Sequence, residues 1–99
     1  MIVVNRQDGG IYIHGHAHYA EPGKDIVCAG VSALVQNLIQ SIESLTTDTI
    51  KYVMSPGKVD IYFGDLSKHA QLLVDSFFVG VQLIADNYPY HVTVQALNT

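Results

Sequence analysis

Two side chains that together can carry out acyl transfer lie twelve positions apart near the start of the chain, His16 and Cys28. A strand that enters a helix through a loop leaves its own last residues and the first residues of the helix at one edge of the sheet. The imidazole and the thiol can therefore meet. An imidazole stabilises a neighbouring thiolate and returns a proton to a leaving amine, as in cysteine proteases. The spacing is compatible with a Cys-His dyad but does not decide for it, because a lone cysteine on an apolar helix face is more often a small core residue.

The predicted start of the helix gives Cys28 a second feature. Asp25 is well placed as the N-cap, which makes Cys28 the third helical residue. Unpaired amides of the first turn and the helix dipole favour an anion there, so we expect a thiolate and, in the same turn, donors for the oxyanion. Asp25 either serves only as the cap or also orients His16. Ser32 follows one turn later, where its hydroxyl bonds either the site or a backbone carbonyl.

The connection from Ala17 to Lys24 is eight residues long, more than the roughly two to six residues usual between a strand and a helix. Such a loop is a candidate cover for a bound substrate. Pro22 and Gly23 would supply a turn and a hinge, and Tyr19 an aromatic surface for a substrate side chain. An ordinary surface turn is the alternative.

Three histidines alternate along the predicted strand: His14, His16 and His18. In a regular strand they would lie on one face and could bind zinc. That face offers no nearby carboxylate, and Gly15 and Ala17 indicate that the strand ends here. A His-rich metal-binding module is therefore the alternative from another functional class, and partly exposed residues at a strand end are the simpler interpretation.

Two units of hairpin plus helix, followed by a last strand, are expected to position these residues. The expected elements are a hairpin at 2–13, a helix at 25–45, a hairpin at 52–63, a helix at 67–87 and a strand at 90–94 with a short polar tail. Turn residues join the strands of each hairpin, and in the second hairpin Pro56 presets the turn while Gly57 is expected to take the positive φ of a type II turn. This ββαββαβ order predicts an α+β two-layer sandwich, with two helices packed on a five-stranded mixed sheet. We expect a single domain over residues 1–99.

Composition excludes several classes of protein. Hydrophobic residues make up 48% of the 99 residues, charged residues 14%, and the formal net charge is −4. Disorder is excluded, and direct nucleic-acid binding is disfavoured because the five basic residues are scattered. So few charges leave room for an apolar surface patch, which either self-association or a peptide-binding groove would explain, and we expect a homodimer. A single cysteine, no pattern of a signal peptide at the N-terminus, and an amphipathic charge-free stretch at 26–42 lead us to expect a cytoplasmic protein without a membrane span.

The chemistry-bearing segment resembles the signature of a known family. Gly15-His16-Ala17, a loop that contains Gly23, and the run from Asp25 to Leu34 are similar to the motif of the ribosomal-processing cysteine protease (Prp) family. The resemblance is specific in the first third of the chain and architectural beyond it.

The resemblance implies a homodimeric endopeptidase that removes a short N-terminal extension from large-subunit ribosomal protein twenty-seven, cutting after a phenylalanine in an apolar motif. It implies that Cys28 is the nucleophile, that His16 is the general acid/base, and that the 17–24 loop is a mobile cover. Asp25 and Ser32 match family positions beside the dyad. No cofactor and no metal are implied, and a non-catalytic protein that binds a ribosome-assembly partner is the alternative.

Overall fold

Seven elements make up the fold of residues 1–96, which the computed structural model describes. Their bounds, in chain order, are β1 (Ile2–Gln7), β2 (Gly10–His14), α1 (Ile26–Leu45), β3 (Lys51–Ser55), β4 (Lys58–Tyr62), α2 (Lys68–Asn87) and β5 (Val92–Ala96). The predicted ββαββαβ order is confirmed. The end of the predicted polar tail, residues 97–99, lies outside the described residues.

The strands form one mixed sheet in the order β3-β4-β2-β1-β5. β1 and β5 are parallel, whereas the pairs β1–β2, β2–β4 and β3–β4 are antiparallel. The register places His14 opposite both Val3 and Lys58, and Ile2 opposite Val92. The end of β2 and the starts of β1, β4 and β5 therefore meet at one edge of the sheet, namely the edge that runs across the ends of the strands. The loop to α1 leaves from this edge.

One buried apolar cluster joins the sheet to both helices. Cross-strand partners point to the same face of a sheet, so the pairing of Val4 with Ile13 and of Ile11 with Ile61 puts these side chains on one face. The largest fully buried side chains are Val4, Ile11, Val27, Ile42, Ile61, Val81 and Val92. They come from both layers, and the predicted two-layer α+β sandwich is confirmed.

Helix α1 begins where the sequence predicts, with Asp25 as its N-cap. By length and composition alone this helix could also cross a membrane. Its apolar residues, however, recur on one face and pack into the core beside α2, which is typical of the core helix of a folded domain. The buried residues of the helix are Val27, Val31, Val35, Leu38, Ile39 and Ile42.

The second hairpin turns at Pro56 and Gly57, and Gly57 has the predicted positive φ, at 72°. The last strand differs from its prediction because β5 begins at Val92 and not at Tyr90. The carbonyl of Tyr88 accepts the N–H groups of His91 and Val92, at 2.9 and 3.1 Å. The chain is therefore still turning at Tyr90, and pairing with β1 begins only after this turn.

Candidate active site

The site begins where β2 ends and the chain turns sharply at Gly15. Gly15 has a φ of 100°, a conformation that favours glycine. A Cβ atom there would collide with the carbonyl oxygen of Met1. The Gly15 N–H donates to the carbonyl of Gly57 at 2.8 Å, which ties this turn to the turn of the second hairpin. The glycine thus directs the following residues along the edge of the sheet.

His16 lies over the turn of the second hairpin. A Cβ atom placed on Gly57 would be only 2.6 Å from His16 Nε2, so the imidazole occupies the space that a larger residue at 57 would need. The side chain itself is exposed. Gly57 therefore serves twice, since it adopts the positive φ of the turn and leaves room for the ring.

Ala17 connects the loop directly to the thiol. Its methyl group is buried in the core, with 1% of the residue exposed. Its backbone N–H donates to Cys28 Sγ at 3.4 Å. Cys28 is partly exposed, because it projects from the first turn of α1 toward this loop and not into the centre of the core. A donor to sulfur and access to solvent both suit a reactive thiol better than a packing residue.

Asp25 holds the loop and the start of α1 together. Its Oδ1 accepts the N–H groups of Val27 and Cys28, both at 3.0 Å, and its Oδ2 accepts those of Tyr19 and Ala20 at 3.0 and 3.3 Å. The hydrogen bond from the Cys28 N–H, with smaller contributions from the other three, holds the pKa of the Asp25 carboxyl below its ordinary value. The carboxylate is thus engaged by backbone amides on both sides.

The expectation that amides of the first turn hold an oxyanion is wrong for Val27, Cys28 and Ala29, because their N–H groups are already bonded. The N–H groups of Val27 and Cys28 bond to the Asp25 carboxylate, and that of Ala29 bonds to the Asp25 carbonyl at 3.0 Å. The cap uses the donors that an uncapped helix would leave open. The donor that points at the sulfur comes instead from the loop, at Ala17.

Two clefts meet at His16 and Cys28, which line both of them. The first has a volume of about 650 Å³ and lies between the 17–24 loop and the start of α1; Gly23 and Ile26 are among its lining residues. The second, of about 310 Å³, lies between α1 and the second hairpin and includes the exposed Ser32. The thiol is therefore accessible from two sides.

The three alternating histidines do not share a face. The regular strand ends at His14, whose Nε2 lies 2.7 Å from Asp60 Oδ1 on the open side of the sheet, so the expectation that no carboxylate is near is wrong for His14. The positive φ values of Gly15 and of His18, at 53°, break the alternation. The rings of His16 and His18 are 5.9 Å apart. Within residues 1–96, no three His, Cys, Asp or Glu side chains are grouped closely enough to hold a metal ion.

Comparison with known proteins agrees with this geometry. A family model described as cysteine protease Prp matches residues 1–93. The chain belongs to the Prp family. The Prp match covers the loop, both helices and four strands completely, so it is not confined to the segment around the thiol.

Two Prp proteins and one solved Prp structure illustrate the similarity. The ribosomal processing cysteine protease Prp of Staphylococcus aureus is 35% identical over 81 residues, which are 79% of this chain and 76% of that protein. The Mycoplasma genitalium Prp is 27% identical over 94 residues, 95% and 94% of the two chains. A crystal structure of the S. aureus protease with a covalently linked product peptide has a TM-score of 0.92 at 28% identity and covers 98% and 100% of the two chains. This member of the Prp family is accordingly a cysteine peptidase.

Three residues at this Prp site were not singled out by their sequence context. Gly57 was predicted only as a turn residue, yet it underlies His16. Tyr88 and His91 lie just before β5, and their rings contact the Tyr19 ring edge-on at centroid distances of 5.3 Å. The signal that could have found them is the strand order, because β5 pairs with β1 and thereby reaches the edge where the loop leaves.

The shared carboxylate predicts a specific pH dependence of stability. Because the pKa of Asp25 in the folded chain lies below its ordinary value of 3.8, its contribution is present above that value and is lost as the pH falls through the lowered pKa. We therefore expect Asp25→Ala to lower the Tm by several degrees near pH 7. The difference from the wild type should shrink steadily below about pH 4.

Thermal unfolding followed by circular dichroism across this pH range measures the effect. Glu43→Ala is the matched control, because it removes a carboxylate from the exposed face of the same helix without removing a cap. An Asp25→Ala deficit that stays constant down to about pH 2 would contradict the role of the ionised carboxylate.

Proposed function

We propose that this chain is an endopeptidase that removes the short N-terminal extension of large-subunit ribosomal protein twenty-seven, with Cys28 as nucleophile and His16 as general acid/base. The observation that carries the proposal is that both side chains line both clefts. A peptide that passes from one cleft to the other brings a backbone carbonyl to the thiol. Solved S. aureus Prp structures with a covalently linked product peptide and with a substrate peptide support such an occupant.

The proposed reaction is acyl transfer in two steps. In the first, the Cys28 thiolate attacks the scissile carbonyl, the C–N bond breaks, and the His16 imidazolium gives its proton to the leaving amine. A thioester between Cys28 and the N-terminal fragment remains. In the second, neutral His16 removes a proton from water, the hydroxide attacks the thioester carbonyl, and the C–S bond breaks to release the thiolate and a carboxylic acid, which gives its proton to the solvent. The Ala17 N–H, 3.4 Å from Sγ, stabilises the negative sulfur.

Two properties of the chain support a substrate that is a basic protein with an apolar cleavage motif. The larger cleft is lined mainly by apolar residues, among them Ala20, Pro22, Ile26 and Ala29, and could take the phenylalanine that precedes the cut. The net charge of −4 favours association with a basic ribosomal protein. A ribosomal substrate also agrees with a cytoplasmic location, which we include in the proposal.

Six further residues are proposed to support the dyad. Gly15 and Gly23, both at positive φ, allow the turns that begin and end the loop. Asp25 fixes the loop to the helix, and Ala17 contacts the sulfur. Tyr19, a residue of the loop, packs against Tyr88 at the end of α2, and Ser32 lines the second cleft beside Cys28.

Cleavage of the natural precursor tests the nucleophile. We expect the wild type to convert the ribosomal-protein precursor to the shortened product, and Cys28→Ala to give no product, because the chain has no other thiol. Mass spectrometry of the precursor after incubation measures both. Each incubation is run with and without a chelator, and we expect the chelator to have no effect.

Three outcomes would contradict the proposal. Product formation by Cys28→Ala would exclude the thiol mechanism. An intact precursor that co-purifies equally with the wild type and with Cys28→Ala would indicate a binding protein in which Cys28 is a packing residue. Cleavage abolished by the chelator would instead favour metal chemistry.

The three histidines are expected to differ in importance. His16→Ala should lower kcat on the order of a hundredfold or more, because the leaving amine then lacks its proton donor. His14→Ala and His18→Ala should retain most of the turnover, since the His14 ring is bonded to Asp60 away from the thiol. Steady-state kinetics on a precursor peptide measures this. Equal losses in all three variants would contradict a single general acid/base.

A homodimer is part of the proposal, supported by an apolar stripe on α2. Leu72, Val79 and Leu83 are 67%, 65% and 59% exposed, and their spacings of seven and four residues put them on one helical face. Sedimentation equilibrium should give a dimer for the wild type and a monomer for Leu83→Glu, because an unpaired charge buried in an apolar interface is costly. Leu45→Glu is the control, an equally exposed leucine at the end of α1. A dimer of undiminished stability in Leu83→Glu would exclude this stripe as the interface.

A further inference from the structure

His91 is held rigidly at the edge of the sheet. Its N–H donates to the Tyr88 carbonyl at 2.9 Å, and its own carbonyl accepts the N–H of Ile2 at 2.8 Å. The residue is half-buried directly before β5. Its side chain therefore extends from a backbone that both the end of α2 and the start of β1 fix in place.

The imidazole of His91 binds the residue that contacts the thiol. Nδ1 lies 2.9 Å from the carbonyl oxygen of Ala17. A carbonyl oxygen only accepts hydrogen bonds, so Nδ1 carries the hydrogen. The same alanine donates its N–H to Cys28 Sγ at 3.4 Å. Three atoms of Ala17 are thus restrained at once, namely its buried methyl group by the core, its carbonyl by His91 and its N–H by the sulfur.

An aromatic contact fixes the orientation of the ring. The Tyr19 ring meets the His91 ring edge-on, with centroids 5.3 Å apart and planes at 82°. Tyr19 packs in the same way against Tyr88, at 5.3 Å and 83°. Edge-to-face pairs of this kind contribute beyond their buried area. The imidazole is therefore held between the loop and the end of α2, with Nδ1 toward Ala17.

We propose that His91 is a positioning residue of the peptidase, because its Nδ1–H holds Ala17 so that the Ala17 N–H points at the sulfur of Cys28. The role rests on the proposed function of Cys28 as nucleophile. His91 does not touch the reacting atoms and acts through Ala17. Since Ala17 also follows His16 in the chain, the same hydrogen bond restrains the backbone that carries the general acid/base.

The proposal predicts which replacements of His91 will work. The side-chain amide of Asn matches the position of Nδ1, whereas that of Gln matches the position of Nε2, and Phe keeps the ring without a donor. His91→Asn should therefore preserve the bond to Ala17, and His91→Gln and His91→Phe should lose it. His69→Phe is the control, the same replacement at an exposed histidine of α2.

Alkylation of the single cysteine by iodoacetamide, followed by intact-mass spectrometry across a range of pH, measures the reactivity of Cys28 without any substrate. His91→Phe and His91→Gln should react about tenfold more slowly near pH 7, with the profile moved to higher pH, because the thiolate has lost a positioned donor. His91→Asn and His69→Phe should stay within about twofold of the wild type. On a precursor peptide, kcat should follow the same order while KM changes little.

Each outcome decides the matter. Wild-type reactivity in both His91→Phe and His91→Gln would overturn the proposal, and so would an equal loss in His91→Asn. Where His91→Phe fails to fold by circular dichroism, the comparison of Asn with Gln decides alone. A wild type that never cleaves the precursor overturns the proposed function, whereas the alkylation series still tests whether His91 controls the thiol.

Discussion

The carboxylate of Asp25 is the interaction on which the arrangement of the site depends. It accepts two N–H groups from the first turn of α1 and two from the 17–24 loop. A helix cap normally satisfies only its own helix. Here the same carboxylate also fixes the loop against that helix, so the orientation of the loop relative to the start of α1 is determined by this one group. The positions of Ala17 and Cys28 relative to each other follow from it.

Contacts across the ends of the strands also restrain the residues of the site, and these contacts depend on two glycines. Gly15 passes so close to Met1 that a side chain would not fit, and Gly57 leaves the space that the His16 ring fills. The hydrogen bond between these two glycines joins the ends of β2 and of the second hairpin. These backbone contacts restrain the position of His16, although its side chain is exposed.

The sequence alone predicted the features of the fold that depend on local residue patterns. Apolar spacing and turn chemistry located both helices and both hairpins, and the N-cap at Asp25 placed Cys28 correctly in the first turn. What depends on strand order was out of reach. The pairing of β5 with β1 brings His91 to Ala17, 74 positions away, and the pairing of β4 with β2 brings Gly57 to His16. The start of β5 was misplaced because Tyr90, a residue type enriched in strands, lies here in a hydrogen-bonded turn after α2.

The N-cap carboxylate binds the same backbone N–H groups that could otherwise bind an anion at the start of α1, and this makes the 17–24 loop important as a source of donors. A helix start offers unpaired amides to an anion only while nothing else binds them. Asp25 binds those of Val27 and Cys28, so the donor that points at the sulfur is the Ala17 N–H from the loop. A donor on a loop is present only when the loop is in place. With Cys28 as the proposed nucleophile, its reactivity is therefore coupled to the contacts that order the loop. The His91 imidazole holds this loop at Ala17, and the Asp25 carboxylate holds it at the next residues along the chain.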